Sequence, residues 1–149
     1  MIPLSEHVCF ALYTASRTVI NRYRPLLDEI GVTYPQYLAL LVLWERGDTT
    51  VKDLGTALQL DSSTLSPLLK RLEATGLVTR RRLATDERSV LVSLTGDGSA
   101  LRERAEPIAM EVACAFGLPL PELGALRDSL HHLTSALNQG DTHGDRVHS

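Results

Sequence analysis

Two cysteines, Cys9 and Cys114, are the residues whose chemistry first asks for an explanation. Two thiols make no disulfide framework of the kind that braces small secreted domains. They are packing residues or redox groups, because a thiolate is a nucleophile toward oxidants. Cys9 falls near the start of a helical pattern, where the helix dipole favours negative charge. Its basic neighbour His7 projects elsewhere around that helix. Cys114 sits in Ala113-Cys114-Ala115, a context that also suits a small packing residue. No metal is expected: His131, His132, His143 and His148 lie far in sequence from Cys9, and no Cys-x-x-Cys or His-Glu-x-x-His spacing occurs. No His/Asp constellation accompanies Cys9 to support turnover, so neither an enzyme nor a cofactor is expected.

Charge gives the second clue. The chain carries a net −3. The segment from Lys52 to Arg88 holds seven cationic and five acidic side chains, a local +2 that leaves −5 for the rest. A basic middle between acidic ends points to a local phosphate-binding surface.

The elements that must position these groups follow from periodicity. Leu4, Val8, Leu12, Val19, Tyr23, Leu26 and Ile30 recur at helical spacing, with Ser5 as the expected N-cap, Gly31 as the stop and a kink at Pro25. A second helix starts at Tyr34-Pro35, with Pro35 in the first turn, and ends at Gly47-Asp48. Two short helices come next. Thr50 caps Val51 to Leu58, and Asp61 or Ser62 caps a helix that runs to about Thr75. Together they read as a helix-turn-helix. Leu65, Leu68, Leu69 and Leu72 form its buried stripe, leaving Ser62, Ser63, Ser66, Lys70 and Arg71 outward. The period then changes to two over Val90, Val92 and Leu94, with Leu77 to Arg82 as the partner strand and Leu83 to Glu87 as the hairpin tip.

Thr95 caps a fifth helix through Leu101, Ala105, Ile108, Val112 and Phe116, ended by Gly117 and Pro119. In the last helix Leu123, Leu126, Leu130, Leu133 and Leu137 form a seam suited to another helix. The expected fold class is mainly α with a small β-hairpin wing: a winged helix-turn-helix with added N- and C-terminal dimerisation helices. The expected organisation is one unit over 1–139, with the winged helix at about 48–95, dimerisation helices at about 4–31 and 96–138, and a disordered polar tail at 140–149. Apolar faces left open by so small a module predict a homodimer; the alternative is that the outer helices close a monomeric core. The longest apolar run, Tyr37 to Trp44, is far below the ~18–20 residues of a membrane span. The N-terminus lacks a signal-peptide pattern, so a cytoplasmic protein without a membrane partner is expected.

This order of elements resembles the MarR family of winged-helix regulators from about Leu4 to Leu137. Asp86-Glu87-Arg88 followed by Val90-Leu91-Val92-Ser93-Leu94-Thr95 is similar to that family's wing. Cys9-Phe10-Ala11-Leu12-Tyr13, Tyr23-Arg24-Pro25-Leu26-Leu27, Thr33-Tyr34-Pro35-Gln36-Tyr37-Leu38 and the run from Leu60 to Glu73 resemble its organic-hydroperoxide-sensing branch. Ser63 and Ser66 depart from it, standing where glycine and threonine are usual. The resemblance implies a repressor bound to a pseudo-palindromic double-stranded operator and released when an organic hydroperoxide oxidises its cysteine.

On that reading Ser62, Ser63, Thr64 and Ser66 meet base edges or phosphates in the major groove, and Pro67 meets a thymine methyl. Lys70 and Arg71, further along, meet phosphates. Arg88 enters the minor groove, its guanidinium held by Asp86. Arg80, Arg81 and Arg82 flank the backbone or form a solvated strand face.

Tyr23 and Tyr34 resemble the pair that contacts the sensing cysteine. Tyr23 lies 14 residues beyond Cys9, about 21 Å along a continuous helix, so the contact has to cross between antiparallel subunits. Oxidised Cys9 is then capped by a small thiol or resolved by Cys114; the resemblance to a two-cysteine subclass implies the second. The rival readings are a regulator released by an aromatic ligand, a thiol peroxidase, and a winged helix that binds only protein.

Overall fold

A computed structural model describes residues 1–141. It divides into two compact units, Met1–Val112 and the residues from Ala113 onward. In the first unit, α1 (Val8–Glu29) follows a short 3₁₀ turn at Leu4–Glu6. The helix therefore starts later than its apolar pattern suggests. Ser5 lies inside the turn, and His7 is the N-cap, with no side-chain cap bond. Its Nε2 instead meets the Ile2 carbonyl at 3.0 Å. Pro25 is accommodated inside α1.

The next helix, α2 (Tyr34–Arg46), opens on a capping box. Thr33 Oγ1 accepts from the Gln36 amide at 3.4 Å, and Gln36 Oε1 accepts from the Thr33 amide at 2.9 Å. Two otherwise orphaned amides are thereby satisfied. Gly47 ends α2 at φ 77°. The strand β1 (Thr49–Thr50) follows, then α3 (Val51–Leu58) and α4 (Ser62–Ala74). The turn between α3 and α4 depends on Gly55, because a Cβ there would stand 2.8 Å from the Leu60 carbonyl oxygen. Gln59 completes the turn in the left-handed region at φ 54°.

The wing consists of β2 (Val78–Leu83) and β3 (Asp86–Leu94). Pairing is antiparallel, from Val78 opposite Leu94 to Arg82 opposite Val90. A register shift then sets Leu83 opposite Asp86, so the tip is only Ala84-Thr85, shorter than the sequence pattern indicates. β1 joins β3 through Thr49–Val92 and Thr50–Leu91, giving the order β1-β3-β2. Two residues are too few for a period-two pattern, so β1 left no sequence signature of its own.

α5 (Gly96–Ala115) is capped by Thr95, whose Oγ1 accepts from the Gly98 amide at 3.0 Å and donates to the Gly76 carbonyl. The core of the first unit gathers Leu27 of α1, the buried face of α2, Leu54, and the α4 stripe of Leu65, Leu68, Leu69 and Leu72. Val78 and Val92 of the wing and Ala105 and Ile108 of α5 complete it. This packing fixes α4 against the wing root and leaves its other face to solvent.

Outside this core the N-terminal half of α1 is uncovered: Val8, Phe10 and Tyr13 are exposed, together with Ile2 and Leu4. In the second unit, α6 (Leu120–Asp141) exposes Leu120, Leu126, Leu130 and Leu137. The helix continues through Gly140 and Asp141, where the sequence pattern predicts the tail to begin, and 142–149 lie outside the described residues.

Candidate functional site

α3, α4 and the wing enclose an open groove of about 840 Å³. Ser62 and Ser66 of α4 line it, with Asp86, Arg88 and Ser89 of the wing. Lys52, Thr56 and Gln59 of the α3 region also contribute; the sequence pattern did not single them out, although each is polar on an amphipathic helix or its cap. Ser63, Thr64, Pro67, Lys70 and Arg71 are exposed on α4 but do not line the groove.

The start of α4 is organised by Asp61 rather than Ser62. Asp61 Oδ1 accepts from the Thr64 amide at 2.8 Å and from the Ser63 hydroxyl at 2.7 Å. The Ser63 hydroxyl is therefore engaged locally, whereas those of Ser62 and Ser66 have no partner among the described residues. Asp86 departs from expectation. Its Oδ1 accepts from the Arg88 amide at 3.0 Å and its Oδ2 from the Ser89 hydroxyl at 3.1 Å. Short aspartate side chains reach backbone groups two residues on more readily than a long side chain's tip. The carboxylate thus shapes the wing turn, and no described bond ties it to the Arg88 guanidinium.

The three consecutive arginines of β2 differ in their surroundings. Arg80 is half-buried: Glu73 Oε2 accepts from its amide at 2.8 Å, and Glu73 Oε1 accepts from Nη2 at 3.2 Å. Arg81 and Arg82 are exposed.

Two carboxyls at this surface titrate below the ordinary carboxylate range. Asp61 is held down first by the Ser63 hydroxyl and then by the Thr64 amide. Glu73 is held down first by the Arg80 side chain and then by its amide. A carboxyl with a lowered folded-state value binds protons less readily folded than unfolded. Its stabilisation is present above the unfolded value of about 4 and is lost as pH falls through the lowered one. Urea midpoints should therefore decline on acidification below about pH 4, and Asp61→Asn should make that decline shallower. An unchanged acid slope in the variant would contradict the assignment.

Cys9 is exposed in the first turn of α1, and Cys114 is exposed in the last turn of α5. Cys9, Tyr13 and Arg17 share one face of α1 at four-residue steps, with the Arg17 guanidinium 5.3 Å from the Tyr13 ring centre. Tyr23 lies on the same uninterrupted helix as Cys9, about 21 Å along it by helical rise. Tyr23 and Tyr34 do come together, at 4.9 Å between ring centres. Tyr37, one turn beyond Tyr34 and absent from the sequence assignment, is 5.8 Å from Tyr23 and 6.3 Å from Tyr34. Burial, then the neighbouring Tyr37 and Tyr34, push the Tyr23 phenol up to about 12. Burial raises Tyr34 and Tyr37 as well. All three phenols thus stay protonated near neutrality and remain hydrogen-bond donors.

Tyr37 also meets Trp44, at 6.5 Å between ring centres, and the Trp44 indole donates to the Gly98 carbonyl at 2.9 Å. One aromatic row therefore runs from α1 across α2 to the start of α5.

Comparison with known proteins matches this architecture. Residues 21–104 fit the family described as transcriptional regulator SarA/Rot. The organic hydroperoxide resistance transcriptional regulator of Bacillus subtilis is 48% identical over 136 residues, 91% of this chain and 92% of that protein. The HTH-type transcriptional regulator MgrA of Staphylococcus aureus is 37% identical over 138 residues, 91% of this chain and 93% of the other. AbfR of Staphylococcus epidermidis, solved reduced and bound to DNA, superposes with a TM-score of 0.77 at 35% identity, covering 90% of this chain and 93% of that one. AbfR is also known overoxidized on DNA and with a disulfide formed. With the helix-turn-helix, wing and flanking helices in place, and relatives this similar over nine-tenths of its length, the chain belongs to the MarR-type family of winged-helix transcriptional regulators.

Proposed function

We propose that this protein is a homodimeric DNA-binding repressor whose Cys9 is the target of an organic hydroperoxide. The groove between α4 and the wing carries the DNA half of this reading. It places Ser62 and Ser66 beside Arg88 on one surface, as a helix in the major groove with an arginine in the adjacent minor groove requires. Lys70 and Arg71, exposed further along α4, supply phosphate contacts. Uncovered apolar residues at the start of α1 and along α6 support dimerisation, and a dimer presents two recognition helices to a pseudo-palindromic operator.

The redox half rests on Cys9, a free thiol exposed in the first turn of α1 and so open to an oxidant. The Bacillus subtilis relative is named for organic hydroperoxide resistance, and AbfR has been solved in several oxidation states. The Cys9 thiolate attacks the terminal peroxide oxygen, the O–O bond breaks, and the alkoxide leaves and takes up a proton to become an alcohol. The cysteine becomes a sulfenic acid. Attack on that sulfur by the thiol of Cys114 from the other subunit, or of a small molecule, forms a disulfide and releases water. Tyr23 and Tyr34 of the partner subunit donate to the Cys9 thiolate before oxidation. Loss of that network shifts the recognition helices away from their half-sites.

The role is regulation rather than turnover, and it places the protein in the cytoplasm with its DNA. Among the described residues no single helix is long and apolar enough to cross a membrane. The test is a gel shift on the DNA upstream of the protein's own gene. Reduced protein should retard it with strong salt dependence, and an organic hydroperoxide should reverse the shift. Absence of salt-sensitive binding would favour a protein-only partner.

A further inference from the structure

The charged groups at the groove do not all face outward. Glu73, near the end of α4, turns its carboxylate toward β2 and there holds a single residue by two routes, the Arg80 amide and the Arg80 guanidinium. The amide bond fixes the strand itself, and the guanidinium bond closes a fork over it. The Arg80 Nε is fully buried without a hydrogen-bond partner among the described residues. A buried donor without a partner is costly, a cost offset by the two bonds to Glu73 that hold Arg80 in place. Arg80 pairs with Val92, a core residue of the central strand β3. β3 begins at Asp86 and carries Arg88 at the far end of the wing. The carboxylate therefore stands where the recognition helix meets the lever that ends in Arg88.

We infer that Glu73 and Arg80 are positioning residues that set the angle of the wing against α4, so that Arg88 and the α4 serines engage DNA together. The inference rests on the DNA-binding function proposed above. It reassigns Arg80, which the sequence pattern grouped with residues flanking the DNA backbone. The sign of a single substitution separates the two roles. Glu73 is an anion at a surface meant for phosphates. If it acted only by charge, removing it would tighten DNA binding. If it holds the wing, removing it loosens the lever and weakens binding.

The test compares wild type with Glu73→Gln, Glu73→Ala and Arg80→Met on the same upstream duplex across a salt series. Circular dichroism establishes that each variant is folded at the assay temperature. Glu73→Ala should weaken binding about tenfold and Glu73→Gln less, since the amide oxygen can still accept from the Arg80 backbone. The slope of log affinity against log salt should be unchanged in all three, because the same phosphates remain neutralised. Equal or tighter binding by folded Glu73→Ala and Glu73→Gln overturns the inference. So does a slope shallower in Arg80→Met by about 0.9 per phosphate that Arg80 would neutralise, which would make Arg80 a direct DNA ligand. Failure of the wild-type protein to bind the duplex removes the DNA-binding reading itself, a result distinct from either.

Discussion

Cys9→Ser protein is expected to bind its operator as tightly as wild type and to resist release by organic hydroperoxide. Cys9 is exposed in the first turn of α1 and belongs to no core contact, so exchanging sulfur for oxygen costs the fold little. What disappears is the nucleophile, because a serine hydroxyl without an adjacent base does not attack a peroxide oxygen at neutral pH. Effectors of this kind shift affinity by roughly 5- to 150-fold. Oxidised wild type should fall within that range while the variant stays flat. Fluorescence anisotropy of labelled operator, with and without cumene hydroperoxide, measures both. Release that persists in the variant sinks the sensor assignment and favours an aromatic effector. Non-reducing electrophoresis of the oxidised wild type adds the fate of the sulfur. A covalent dimer that vanishes in Cys114→Ser identifies the resolving thiol, and a monomeric adduct identifies a small capping thiol.

The second large effect is on stability and concerns Gly98. A Cβ at this position would stand 2.0 Å from the Leu77 carbonyl oxygen and 3.0 Å from its carbon. Backbone cannot swing aside as a side chain can, so Gly98→Ala must drive the start of α5 away from the wing root. The displacement also strains the Trp44–Gly98 bond and the Thr95 cap. Ordinary overpacking costs about 1–3 kcal/mol; with these bonds added, about 3–4 kcal/mol is expected. At this chain length that lowers Tm by roughly 8–14 °C. Gly124→Ala is the control: it is helical with open space around it, and alanine there gains about 1 kcal/mol at most. A Gly98→Ala melt within about 2 °C of wild type would contradict the close approach.

These effects differ in how far the sequence made them legible. The α3–α4 pair and its leucine stripe can be read directly, because capping residues and helical periodicity are local signals that agree there. The start of α1 cannot. The apolar spacing continues back through Leu4, and only backbone geometry separates the 3₁₀ turn from the helix. The serines of α4 look equivalent in sequence, yet Asp61 engages the hydroxyl of Ser63 and no described residue engages those of Ser62 or Ser66. Asp86 is legible as a partner for the Arg88 region but not for which atom. Glu73–Arg80 is a non-local pair hidden among three arginines. Tyr37 shares a helix face with Tyr34 at three-residue spacing, a signal masked because the residue also reads as core.

The aromatic row carries a consequence of another kind. The chain contains one tryptophan, and Trp44 is the member of the row that meets α5. Its emission is therefore a label the protein supplies for itself, placed where α2 joins the start of α5. Tyr37 lies 6.5 Å from that indole between ring centres, near enough to pass on the light it absorbs. The indole's own colour reads whether its N–H still has the Gly98 carbonyl. The molecule can thus be watched between its thiol end and its DNA end, in solution and during a reaction, with nothing attached.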